Sequence, residues 1–194
     1  FYNGEDRWQV AQETIETGNR QESRRQPMEA YYMTLPLPGE AETSFKLVRP
    51  FTPASRPNLS AWMAGLSEPD GTARLVVYRF PQQTTVFGPE TIEARINQDP
   101  VISEQITLLD QAGSRVLWGN LLVIPIEETV LYVQPLYLQA TGSDDAPTQL
   151  RFVIVATSEQ VAMRATLAEA LAAVADGEGG DVAGAPPDRE GPAA

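Results

Sequence analysis

The chain has 194 residues, 42% of them hydrophobic, and a formal charge of −12 from 26 acidic and 14 basic side chains. This is enough apolar content for one domain with tails, and the acidic excess without a long basic cluster argues against a nucleic-acid partner. The chain contains no histidine and no cysteine, which excludes a Ser-His-Asp triad, a histidine general base, a thiolate nucleophile and a disulfide framework within it.

Nowhere do about 18 apolar residues run together, so no membrane-spanning helix is expected within this stretch. The first residue is Phe1 rather than Met, which reads as a piece of something longer. In Phe1 to Val10, Asn3 can cap a short helix with Glu5 and Asp6 in its first turn, and Phe1, Tyr2 and Trp8 call for burial. Residues 11 to 29 are polar, include Arg20, Arg24 and Arg25, and lack a sustained apolar stripe. They read as a linker.

Tyr31 to Leu37 and Ser44 to Val48 are strand candidates around the turn dipeptide Pro38-Gly39. Prolines 50, 53 and 57 make Arg49 to Asn58 a stiff, extended loop. Leu59 to Leu66 suits either two turns of helix or a strand. The Asp70-Gly71 turn signal and the strand-like Ala73 to Phe80 favour a hairpin. From Gly88 the period changes: Pro89 opens a helix with Ile92 and Ile96 on one face, and Asp99-Pro100 restarts the chain as a second. That helix aligns Ile102, Ile106 and Leu109, and Gly113 is placed to end it.

Arg115 to Gln139 is the expected centre of the core, two strands joined at Glu127-Glu128-Thr129. Leu121 to Ile124 is continuously apolar, which implies cover on both faces, while Pro125 and Pro135 mark edges, bulges or strand ends. Leu150 to Ala156 reads as a buried strand and Val161 to Met163 as a short edge strand. Thr166 and Glu169 form a capping box for a final helix with Leu167, Leu171 and Val174 on its inner face. The expected class is α+β, a mainly antiparallel sheet of about six to eight strands carrying the middle helix pair and the C-terminal helix. The expected domains are an N-terminal helix and linker over 1–29, an α+β domain over 30–176 and a disordered acidic Gly/Pro/Ala tail over 177–194.

No catalytic motif emerges, and no cofactor or resident metal is expected. The densest polar constellation lies at the junction of the two middle helices, where Glu93, Arg95, Asn97, Asp99 and Glu104 form the candidate binding cluster. Glu93 and Asn97 share a helix face, so oxygen donors there could converge on a hard cation. The competing and simpler reading is that Asp99 caps a helix and Arg95 pairs locally. Asp144-Asp145 lacks the repeat of a calcium loop and reads as a charged turn. Tyr32, Trp62, Tyr78, Trp118, Tyr132 and Tyr137 could floor a sugar or lipid groove, but aromatics in strands more often fill cores.

The strings YYMTLPLPGE, LVRPFTPASRPNLSAWMA, LVVYRFPQQ, FGPETIEARINQDPVISEQITLLDQAGS, GNLLVIPIEETVLYVQPLYLQA and VAMRATLAEAL cover most of Tyr31 to Val174 in order. In this collinear set the chain resembles the C-terminal region of UPF0182, a family of large, uncharacterised, multi-pass bacterial membrane proteins. Ala30 stands where that pattern usually has proline, and Leu109-Asp110 replaces a Trp-Asn pair. The resemblance implies a domain outside the bilayer, attached to the transmembrane portion of the same polypeptide. Lipid surface and other membrane subunits are further expected partners. It carries no known reaction and no catalytic residues. With the acidic composition, it motivates a cell-membrane location with this segment extracytoplasmic, in assembly, partner recognition or gating. The alternative is a carboxylate- or divalent-cation-dependent hydrolase acting on a glycan or lipid.

Overall fold

The computed structural model describes residues 7–16, 23–36, 42–67, 70–81, 85–111, 113–126, 129–141 and 146–177. They form twelve strands and three helices. The α+β class is as expected, with more strands than the six to eight read from the sequence. The chain divides into two compact units, Phe1–Ile96 with Leu121–Tyr132, and Asn97–Asn120 with Val133–Ala194.

In the first unit, β1 (Trp8–Val10), β4 (Tyr31–Leu35), β5 (Ser44–Pro53), β6 (Ala61–Ser67) and β7 (Ala73–Arg79) form an antiparallel sheet. The long strand β5 gives one edge to β6. Its other edge is shared end to end by β4, paired with Ser44 to Val48, and β1, paired with Phe51 to Pro53. The expected loop at Arg49 is therefore sheet as far as Pro53, because three prolines favour extended backbone and only missing donors oppose a strand. Pro50 sits in the gap between β4 and β1. Its carbonyl accepts from the Ala11 N–H on that side at 3.1 Å, and a strand residue's two backbone groups share one edge, so its missing donor interrupts neither ladder. The β6–β7 hairpin forms as expected, with Gly71 at φ 84° and the Asp70 carboxylate accepting from the Thr72 N–H at 2.9 Å.

The N-terminal region departs from expectation. Trp8 to Val10 is strand, and the Asn3 cap lies outside the described residues. The stretch read as linker contains a separate antiparallel ribbon, β2 (Gln12–Glu16) with β3 (Ser23–Pro27), in register from Gln12↔Pro27 to Glu16↔Ser23. Buried Ala11 and Met28 anchor its base, with the Met28 N–H on the Ala11 carbonyl at 2.8 Å. The central hairpin is also different: three strands stand where two were read, β8 (Ser114–Trp118), β9 (Leu122–Ile126) and β10 (Thr129–Ala140). Gly119 makes the break, for a Cβ there would lie 2.5 Å from the Pro135 ring and 3.0 Å from its carbonyl oxygen.

Helices α1 (Pro89–Gln98) and α2 (Pro100–Gln111) match the reading, with Ile92, Ile96, Ile102 and Ile106 buried and Gly113 at φ 77° beyond α2. In the second unit, β8, β11 (Gln149–Ala156) and β12 (Val161–Arg164) belong to the sheet of order β12-β11-β10-β8. Helix α3 (Leu167–Ala175) packs on β11 and β12. Its capping box is present in both directions, Glu169 N–H to the Thr166 hydroxyl at 3.3 Å and Thr166 N–H to the Glu169 carboxylate at 3.2 Å. Its inner face needs correcting. Ala170 and Ala173 are buried, while Leu167 and Leu171 are exposed. A helix reading LAEALAAVA is apolar around most of its girth, and the small side chains let it approach the sheet closely. The tail expected from 177 lies outside the described residues, apart from Gly177.

Candidate functional site

The boundary between the units falls between Ile96 and Asn97, so the five residues of the helix-junction cluster are divided. Asn97 and Glu104 are exposed. Asp99 caps α2: one carboxylate oxygen accepts from the Val101 and Ile102 N–H groups, each at 3.0 Å. This satisfies two of the donors that every helix start leaves free. In the first unit, Arg95 lies over the Phe87 ring at 5.8 Å. Among the described residues no three Asp or Glu side chains group as a metal site would require.

Glu93 is the exception to this surface chemistry. It lies on the buried face of α1 with Ile92 and Ile96, 7% exposed, and its carboxyl accepts from the backbone N–H of Thr14 in β2 at 2.9 Å. Residues 79 apart in sequence meet at this bond. Beside it, Glu13 is also buried and accepts from the Gln26 amide at 3.0 Å, while Glu90 pairs with Arg25 of β3 at 2.9 Å. Burial pushes the Glu93 carboxyl up to about 7; the Thr14 N–H works the other way, and the charges of Glu13 and Glu90 add to the rise. The arrangement is thus a carboxyl that changes charge near neutrality, turned to a backbone amide. The residues missing from the sequence reading are Glu13, Thr14, Gln26 and Glu90, while Arg25 enters it only as part of a solvated linker. The β-branched pair Thr14-Ile15 was the only local hint of a strand there.

The second feature is the outer face of the first sheet. Tyr32, Leu47, Gly65 and Leu75 lie in one row across four strands. Tyr32 and Phe45 stack at 4.9 Å with their planes 9° apart, yet are 65% and 62% exposed. Leu75 is 72% exposed, and Leu47 and Val77 are also open. Alternation along a strand puts these on one face, and the opposite face is core. There Trp62 is fully buried, and its indole N–H donates to the Val123 carbonyl at 3.0 Å. The Tyr31 hydroxyl donates to that carbonyl at 2.7 Å and accepts from the Val123 N–H at 2.9 Å. Burial pushes the Tyr31 phenol up to about 12. Tyr132, likewise buried, donates to the Phe87 carbonyl. Of the aromatics considered for a groove, Trp62 and Tyr132 are therefore core side chains with satisfied polar atoms, and Tyr32 is on the open face.

A family model described as an uncharacterised protein family, UPF0182, matches residues 1–109. The chain belongs to the UPF0182 family. A UPF0182 protein of Pelotomaculum thermopropionicum is 47% identical over 182 residues, 94% of this chain and 19% of that protein. One of Nostoc sp. is 47% identical over 174 residues, 90% of the chain and 17% of the relative. One of Methanospirillum hungatei is 45% identical over 177 residues, 91% and 19% respectively. This UPF0182 chain thus spans less than a fifth of the length of the relatives it matches. No solved structure matches it.

Proposed function

We propose that the chain is a non-enzymatic interaction domain of a longer multi-pass membrane protein, lying outside the cytoplasm and docking on the transmembrane portion of its own polypeptide. The observation that carries this reading is the open face of Tyr32, Phe45, Leu47, Leu75 and Val77. A contiguous apolar patch on a sheet, in a chain of charge −12, is the kind of surface that a partner covers. The relatives' length supplies a candidate in the same chain, and the membrane setting follows from what the family resemblance implies. Among the described residues no helix is long and apolar enough to cross a membrane, so a spanning α-helical portion would come from elsewhere in the polypeptide.

The hydrolase alternative gains nothing from the geometry. Glu93 is buried against an amide, Asp99 caps a helix, and Glu104 is an exposed side chain of α2.

The test is to express this chain and the remainder of its parent polypeptide as separate molecules in membranes, and to purify the remainder in detergent. The wild-type chain should copurify. The double variant Phe45→Glu/Leu75→Glu should be lost while melting, as an isolated chain, within a few degrees of wild type. Copurification unaffected by the double variant, or no copurification of the wild type, overturns the docking surface. Protease applied to intact cells should remove the domain; a domain left untouched by shaving overturns the orientation.

A further inference from the structure

We infer that the β2–β3 ribbon is a pH-sensitive strap, held closed on α1 by protonated Glu93 and loosened when that carboxyl ionises. The inference is independent of what covers the open sheet face. Its geometric basis is the isolation of the ribbon. β2 and β3 pair with each other and form a sheet of their own, and a lone two-stranded ribbon is marginally stable in water. Its order therefore depends on docking. The docking contacts include Ala11 N–H on the Pro50 carbonyl at the base, and Thr14 N–H on Glu93 and Arg25 on Glu90 along its length.

The described charged groups that meet at this contact come from three elements. From β2, Glu13 faces Glu93, buried and bonded to Gln26. From α1 itself, Glu90 adds a second like charge one helical turn away. From β3, Arg25 is paired with Glu90, and its side chain is 75% exposed, so solvent screens the one cation at the contact. An ionised Glu93 is thus a desolvated charge beside two of its own sign, and the backbone N–H and side-chain hydroxyl of Thr14 together offset only part of that cost.

The sign follows from the direction of the shift. The docked carboxyl titrates near 7, above its ordinary value of 4.5, so the docked state binds the proton more tightly than the undocked one. Stability from this group is fully present below about pH 4.5 and is lost as pH rises through about 7. The strap is closed in acid and loosens toward neutrality.

The experiment is amide hydrogen exchange on the 194-residue chain between pH 5 and 8, corrected for intrinsic exchange rates, comparing ribbon amides with those of β5 and β6. Thr14 and its ribbon neighbours should lose protection by at most about tenfold per pH unit between about 5 and 7 and level off above that. At pH 7.5 they should be far less protected than β5 and β6. Glu93→Gln, which cannot ionise, should flatten the ribbon profile. A wild-type profile already flat, a Glu93→Gln profile like the wild type's, or ribbon amides that exchange in step with β5 and β6 throughout would each overturn the strap. If Glu93→Gln fails to fold, carboxyl carbon NMR on the wild type decides: a Glu93 midpoint near 7 supports the strap, and one below about 5 overturns it.

Discussion

Two strands of this protein read alike and sit in opposite surroundings. LRFVIVA at Leu150 to Ala156 and LVVYRF at Leu75 to Phe80 are both short apolar runs rich in β-branched and aromatic residues. In β11, Phe152, Val153, Ile154, Val155 and Ala156 are all buried, whereas in β7 Leu75 and Val77 stand open on the sheet's outer face. The difference is not in the strands but in what packs on them. β11 has β12 beside it and α3 against it, whereas β7 is a terminal strand of its sheet, paired with β6. An apolar run therefore reports only that a strand carries apolar surface. It does not report whether this stretch of chain supplies the cover.

Mutations should expose that difference, each read by urea unfolding of the 194-residue chain. Ile154→Ala removes a fully buried side chain and should cost about 2–5 kcal/mol; a loss under about 1 kcal/mol would mean that β11 is not core. Gly65→Ala, in the middle of the open face, should move stability the other way by about 0.5–1 kcal/mol, because glycine weakens a strand interior. Its new Cβ would meet Leu75 at 3.6 Å and the Leu47 carbonyl at 3.7 Å, ordinary contacts. Destabilisation there would mean that something already covers the face. Leu75→Ala should change stability by no more than about 0.5 kcal/mol, since a 72% exposed side chain leaves little cavity. A loss comparable to that of Ile154→Ala would close the comparison by showing the two strands equally buried.

A second contrast lies between the ribbon that was invisible in the sequence and the helices that were plain. The Asp99-Pro100 restart and the Thr166 to Glu169 box lie within a turn or two of chain, and each carries its own donors and acceptors. The ribbon is polar, and its ordering depends on Glu93, 79 residues from Thr14. No window along residues 11 to 29 contains that partner. The helix-junction cluster was legible in the same partial way. Asp99 capping follows from spacing alone, but the burial of Glu93 follows from β2 arriving beside it.

Local sequence was thus sufficient for the α+β class, both middle helices with their termini, the β6–β7 turn and the α3 cap, because each depends on backbone geometry and on hydrogen bonds closed within a few residues. The tertiary structure alone decided that α3 turns Ala170 and Ala173 inward, that Gly119 splits the central run, that Glu93 is buried among carboxyls, and that one face of the first sheet stays open. Those outcomes depend on burial and charge contributed by residues far away in the chain, and burial is a property of the assembled surfaces rather than of any one segment.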